Sequence, residues 1–219
     1  MGKTERITRE KIILAFLNSC FEKNAGGTSL SDVAGRLGIK KASLYNHYES
    51  RDAMVDDCIK WCSEYMQRTY FIPADIDQIS RKYTAESVMK GIVNRWFKMN
   101  EKEPLFQIYS FIESEKYIST AAAKIAQETR DKLVTQTKQA LRSLAKAKKI
   151  IDLEENDLES LSKMFASLAV AGLDSYIVSK KIEIRSNPES GEGSLFESAS
   201  ESDYSEIDKL VTTFCSMLK

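Results

Sequence analysis

Between Thr28 and Val55 the chain reads TSLSDVAGRLGIKKASLYNHYESRDAMV, and its punctuation points to two short helices joined by a tight turn and followed by a third. Ser29 carries an oxygen that can accept a backbone N–H left free at a helix start, and Asp32, three residues on, completes a capping-box-like pair. Leu30, Val33, Ala34 and Leu37 then recur at three- and four-residue steps, giving one apolar face, and Gly38 stands where a left-handed residue stops a helix. The turn is Gly38-Ile39-Lys40. A second helix is expected from about Lys41 to Tyr48, with Ile39, Leu44 and Tyr48 packing inward. At about 100° per residue, Ala42, Tyr45 and Asn46 face away from Leu44, and Ser43 and His47 lie on the flanks.

That outward face is small, polar and aromatic. A major groove admits a helix and offers donors and acceptors to short side chains near the helix start, and Lys40 and Lys41 put positive charge at that entrance. A helix pair of this shape also occurs in ordinary bundles, so the specific residues decide. Leu44-Tyr45-Asn46-His47-Tyr48, the Glu49-Ser50 break, and Arg51-Asp52-Ala53-Met54 opening a further helix resemble the N-terminal domain of the TetR family of transcription regulators. The resemblance is detailed over residues of about 7 to 65; beyond them it is one of length and helical pattern.

The net charge of zero looks awkward for a nucleic-acid binder until the charge is located. From Met1 to Arg51 there are nine Lys/Arg against five Asp/Glu, whereas Ser186 to Asp208 holds seven acids and no base. The basic part is the part with the helix-turn-helix pattern. Three prolines and nine glycines in 219 residues, with 42% hydrophobic content, suit long helices around a real core. The first is expected at about Thr8–Lys23, ended by Asn24-Ala25-Gly26-Gly27, and a fourth, capped by Ser50, reaches roughly Tyr70. Phe71 to Tyr83 reads as a linker or partly helical crossover. Further helices are expected at about 85–100, 104–114, 119–147, 156–184, where Asn156 and Glu159 suggest a capping box, and 204–218. The acidic, Ser-rich stretch from about 186 to 203 reads as a mobile loop.

The chain has one histidine, His47, on the reading helix, where a phosphate or base contact is a better role than a catalytic base. No Gly-x-Ser-x-Gly elbow, His-Glu-x-x-His helix or phosphate-binding glycine loop is present, so no catalytic residue, metal ligand or cofactor site is expected. The longest candidate span, Ala166 to Leu173, is too short to cross a bilayer and the N-terminus lacks the features of a signal peptide, so no membrane role and a cytoplasmic location are expected. Of the four cysteines, Cys58 and Cys62 share a helix face; small buried hydrophobes and a redox pair are the two readings of them.

The resemblance implies an all-α protein in two parts. One is a helix-turn-helix DNA-binding head over residues 1–52, the other a helical ligand-binding and dimerisation body over 53–219. It assigns Lys41, Ala42 and Ser43 to positions that approach bases, Tyr45, Asn46 and His47 to bases or phosphates, and Thr28, Ser29, Lys40 and Arg51 to the DNA backbone. Members vary freely at the positions of Lys41-Ala42, which leaves the operator sequence open. In the body it implies a small-molecule pocket, for which Trp96, Phe97, Phe106, Tyr109, Phe165 and Tyr176 are the candidates, although aromatics at helical spacing are usually core. A two-fold homodimer is implied through the last two helices, with Leu161, Phe165, Leu168, Gly172, Leu210 and Phe214 at its interface. The implied function is a repressor released from a palindromic double-stranded operator by a small ligand. The alternatives are a DNA-binding regulator under protein or redox control and a helical scaffold with no DNA role.

Overall fold

The computed structural model describes residues 6–186 and 203–219. Among the described residues there are ten helices and no strand, as the all-α expectation requires: α1 Arg9–Gly27, α2 Leu30–Arg36, α3 Lys41–Leu44, α4 Arg51–Arg68, α5 Ile76–Lys82, α6 Ala85–Asn100, α7 Leu105–Glu115, α8 Thr120–Lys146, α9 Glu155–Ser186 and α10 Ser205–Ser216. The stretch expected to form a mobile acidic loop lies almost wholly outside the described residues.

The backbone divides into two compact units, and the division differs from a single boundary after residue 52. Met1–Thr69 combines with Glu103–Gln127, and Tyr70–Lys102 with Glu128–Lys219. The first unit therefore holds α1–α4, α7 and the opening turns of α8. Its core is built on the apolar stripe of α1: Ile12, Ile13, Phe16, Leu17 and Cys20 pack with Val33 and Ala34 of α2, Leu44 of α3, Met54, Cys58 and Cys62 of α4, and Ile108, Phe111 and Ile112 of α7. Phe16 meets Phe111 edge-on at 5.8 Å, a favourable aromatic geometry. Trp61, Tyr65 and Met66, far along α4, also pack against this cluster.

Helical geometry in α1 breaks at Asn24, where φ is 64°. The Asn24 side chain takes the Gly27 N–H at 2.8 Å, which stabilises the turn leading into α2. Cys58 and Cys62 are buried free thiols of this core. Burial drives the Cys58 thiol well above its ordinary pKa and Cys20 up to about 12, which disfavours thiolate chemistry at either.

The second unit comprises α5, α6, the rest of α8, α9 and α10. α10 packs chiefly on α6 and also on α9. Gln136 of α8 is buried, and its side-chain carbonyl accepts the Phe71 and Ile72 N–H groups at 2.8 and 3.1 Å, so this irregular backbone is satisfied inside. α9 begins at Glu155, one residue ahead of Asn156, and Glu159 turns to Lys138 and Lys163 instead of closing a capping box. Gly172 lets α9 and α10 approach closely: a Cβ there would lie 2.7 Å from Ile207 Cδ1.

The hydropathy of α9 exceeds what the run Ala166–Leu173 suggests. Glu155–Ile182 is long and apolar enough by composition to cross a membrane, and 33% of its most apolar window is buried in the protein. The reason is that two faces are apolar. Leu158, Phe165, Ala169, Leu173 and Ile177 are buried, while Leu161, Met164, Leu168, Ala171, Val178 and Ile182 remain half-buried or exposed.

Candidate nucleic-acid interface

The expected capping box forms at the start of α2. Ser29 Oγ accepts the Asp32 N–H at 3.2 Å, and Asp32 Oδ2 accepts the Ser29 N–H at 2.8 Å and its hydroxyl at 2.7 Å. Lys23 reaches Asp32 at 2.5 Å. That lysine, then Ser29, hold the Asp32 carboxyl well below the usual carboxylate range. At the other end of α2 the Gly38 N–H bonds Gly35 O at 3.1 Å and the Ile39 N–H bonds Ala34 O at 3.0 Å. These are the two hydrogen bonds of a Schellman motif. It requires a left-handed residue at Gly38, whose φ is 64°.

α3 is shorter than the expected Lys41–Tyr48. After Leu44 the backbone tightens, with the Asn46 and His47 N–H groups bonding Ser43 O and Leu44 O, three residues back, at 3.4 and 2.9 Å. Leu44 is wholly buried and anchors the segment, Ser43 is half-buried, and Lys40, Lys41, Ala42, Tyr45, Asn46 and His47 are exposed. These neighbours therefore present one solvent-facing edge that combines two lysines, a small residue and three polar or aromatic tips. Tyr48 turns back, and its hydroxyl donates to Asp57 Oδ2 at 2.7 Å.

Two residues expected at the DNA backbone are used inside the head. Thr28 is 1% exposed, and its hydroxyl donates to Asn24 O at 2.7 Å. Arg51 donates from Nε to Thr28 O at 2.9 Å and from Nη2 to Ala25 O, which also accepts the Thr28 N–H, so its guanidinium clamps two carbonyls where α1 ends. Ser29 is exposed, but its hydroxyl belongs to the capping box. One pair lies beyond the reach of sequence reasoning: Arg9 and Asp57, 48 residues apart, joined by two bonds of 2.7 Å. The basic N-terminus is the only sequence sign of it.

The six candidate pocket aromatics do not converge. Phe97 and Tyr176 line a cavity of about 410 Å³ in the second unit, together with Leu168, Gly172, Ile207 and Leu210. Phe97, Tyr176 and Tyr204 stand 5.5 to 5.7 Å apart, and both tyrosine hydroxyls donate to Glu101, that of Tyr176 at 2.6 Å. Trp96 is buried against Phe71 and Phe165 against Phe214. Phe106 packs on Phe21 in the first unit, which also holds Tyr109. Phe165 and Phe214, 0% and 1% exposed, are internal packing partners and cannot meet a second chain directly. Gly172 likewise uses its small size within the chain.

Residues 13–58 match the family model of bacterial regulatory proteins, tetR family. The biofilm operon icaADBC HTH-type negative transcriptional regulator IcaR of Staphylococcus aureus (strain Newman) is 28% identical over 94 residues, 43% of this chain and 48% of that protein. The chain thus spans about half the length of the curated relatives it matches. Among solved structures, a TetR-family transcriptional regulator from Mesorhizobium loti aligns over 99% of this chain and 98% of its own at a TM-score of 0.57 and 13% identity. A transcriptional regulator from Saccharomonospora viridis, in complex with choline, aligns over 95% of each chain at 0.57 and 11% identity. The structural likenesses are likenesses of fold; joined to the match over residues 13–58, they support a similarity of this chain, through its N-terminal helix-turn-helix, to the TetR family of transcription regulators.

Proposed function

We propose that the protein is a DNA-binding transcriptional repressor that works as a cytoplasmic homodimer on a palindromic operator and is released by a small-molecule ligand. The observation that carries the reading is the exposed edge Lys40–His47, presented after a Schellman turn and held by the buried Leu44. Lys40 and Lys41 supply charge for phosphates, and Ser43, Asn46 and His47 supply groups able to read base edges. The similarity to a negative regulator supports repression. Residues 1–52 serve as the reading head and 53–219 as the ligand-binding and dimerising body, although the backbone packs in a different partition.

A dimer is supported by α9. Leu161, Met164, Leu168, Ala171, Ser175, Val178 and Ile182 recur at alternating three- and four-residue steps, and none of them is fully buried. Such a seam fits a second helix of the same kind, and the 46%-exposed Leu210 of α10 adds to the apolar surface. The cavity beside Phe97 and Tyr176 is the candidate ligand site, with an aromatic and aliphatic wall and a few polar groups. A ligand there must bind the released state more tightly than the DNA-bound state, and operator DNA must then weaken the ligand by the same factor.

The test is selection of bound duplexes from a random pool, followed by titration of the recovered sequence at several salt concentrations. The reading expects an inverted repeat and an affinity that falls steeply with salt. Recovery of no enriched sequence, with no salt-dependent binding, would leave a helical scaffold.

A further inference from the structure

Asp57 lies in the second turn of α4 and collects two partners from distant parts of the chain. Arg9, the first residue of α1, donates from Nε to Oδ2 and from Nη2 to Oδ1, each at 2.7 Å, a fork-on-fork pair. The Tyr48 hydroxyl donates to the same Oδ2, also at 2.7 Å. Tyr48 closes the segment that carries Tyr45, Asn46 and His47. Because Arg9 Nε and Tyr48 Oη share one oxygen at 2.7 Å each, they lie within about 5.4 Å of one another. The Arg9 guanidinium therefore stands beside the hydroxyl of Tyr48, the residue that follows the exposed set Tyr45–His47 in the chain.

A guanidinium carries five N–H bonds, and Asp57 takes two. The Arg9 side chain remains 47% exposed, and among the described residues none is hydrogen-bonded to Nη1. What is left is a rigidly aimed, permanently charged group with an unused donor edge. An arginine already held in place loses little rotamer freedom when it meets an anion, which is the advantage of a pre-oriented contact. The anion at hand beside a base-reading segment is a phosphate of the duplex, and such a contact fixes register without carrying sequence information.

We propose that Arg9 is a DNA-backbone contact, aimed at a phosphate flanking the bases met by Lys41–His47, and that Asp57 is the positioning residue that holds both Arg9 and Tyr48 for it. This rests on the DNA-binding reading above and extends the contact surface from α3 to the first residue of α1. Asp57 touches no DNA itself. It acts through the two groups it holds, so its loss matters only while Arg9 is present to be positioned.

The experiment uses the full chain, the selected operator and an unrelated duplex, with affinity measured across salt concentrations well below the thermal midpoint of each variant. Arg9→Ala should weaken both duplexes by the same factor and reduce the salt slope by about one per head. Arg9→Gln, which keeps an amide donor for Asp57 but no charge, should give the same slope change and covers the case in which the alanine variant folds poorly. Asp57→Asn should weaken binding with the slope kept, and the Arg9→Ala, Asp57→Asn double variant should bind no worse than Arg9→Ala alone. If wild type binds with a steep slope and both Arg9 variants keep that slope, Arg9 only ties α1 to α4 and the proposal is overturned. Tighter binding by Asp57→Asn overturns the positioning role, since the carboxylate would then act only by repelling DNA. A wild type with no salt-dependent binding overturns the DNA-binding reading itself, a result distinct from either.

Discussion

The head and α9 expose surface for opposite reasons. Around the reading edge nearly every polar group has an internal partner. Ser29 and Asp32 cap each other, Thr28 bonds back to Asn24, Arg51 holds Thr28 O and Ala25 O, and Tyr48 is tied to Asp57. Beside them Lys40, Lys41, Ala42, Tyr45, Asn46 and His47 are exposed. In α9 it is apolar surface that is left over, because one stripe is buried within the chain and the 50%-exposed Val178 and 62%-exposed Ile182 belong to another. The contrast teaches that an exposed residue is informative once its neighbours' partners are known. In the head the leftover is polar and suits a charged polymer; along α9 it is apolar and suits a second copy.

The sharpest way to break that contrast is to exchange the two kinds of apolar residue. Phe214→Ala empties a wholly internal contact with Phe165 and should cost about 3–5 kcal/mol of stability, read by denaturant unfolding. Val178→Glu should leave folding nearly unchanged. Sedimentation should show its pairs of chains separating, and operator affinity should fall by about a hundredfold or more as two linked heads become one. A Val178→Glu variant that still sediments as two chains removes α9 from the interface.

The head offers a smaller pair. Arg51→Ala takes the side-chain donor from Thr28 O and one of two donors from Ala25 O, and should cost about 1–3 kcal/mol of stability with the salt slope of DNA binding unchanged. Lys40→Ala should do the reverse, keeping stability and lowering the slope by about one per head. If Arg51→Ala lowers the slope as well, its guanidinium serves the DNA in addition to α1. Asn46→Ala should change base preference, with about 1–3 kcal/mol of discrimination at stake, measured by repeating the selection. An unchanged consensus would move the reading face away from Asn46.

Local signals carry the head almost entirely. The Ser29–Asp32 pair, the apolar steps of α2 and the glycine that ends it all act within ten residues, and each forms as the sequence implies. The roles of Thr28 and Arg51 are not legible, because their fate depends on Asn24 and Ala25 and on a bond spanning 23 residues. Arg9 and Asp57 are farther apart still. In the body, spacing locates α6 to α10 to within a residue or two, Asn100 closing α6 as expected, yet it gives no bounds for α5, inside the stretch read as a linker or partly helical crossover, and leaves open which unit each helix joins. Phe106 and Phe97 both sit on apolar stripes, and only the packing separates Phe106, against Phe21, from Phe97, on the cavity wall. The longest apolar run of α9 understates that helix because two apolar faces on one helix blur the period that would reveal either.

The smallest effect concerns the capping box, the clearest of the local signals. Asp32 has its folded pKa depressed by Lys23 and Ser29, whereas the unfolded chain leaves it near the ordinary value of about 3.9. A depressed carboxyl contributes stability in full above its unfolded pKa, because the folded state then holds a charge that it favours. The contribution declines as pH falls from there through the folded value, where the folded state takes up the proton too. Asp32→Asn removes that charge at every pH. The gap in thermal midpoint between wild type and Asp32→Asn should therefore be constant above about pH 5 and should narrow steadily below about pH 4. Lys23 and Asp32 are partly exposed, at 51% and 25%, so added salt should shrink the gap as well. A gap that stays the same from neutral pH down to about pH 3 would show that geometry alone, and not the charge on Asp32, holds the start of α2.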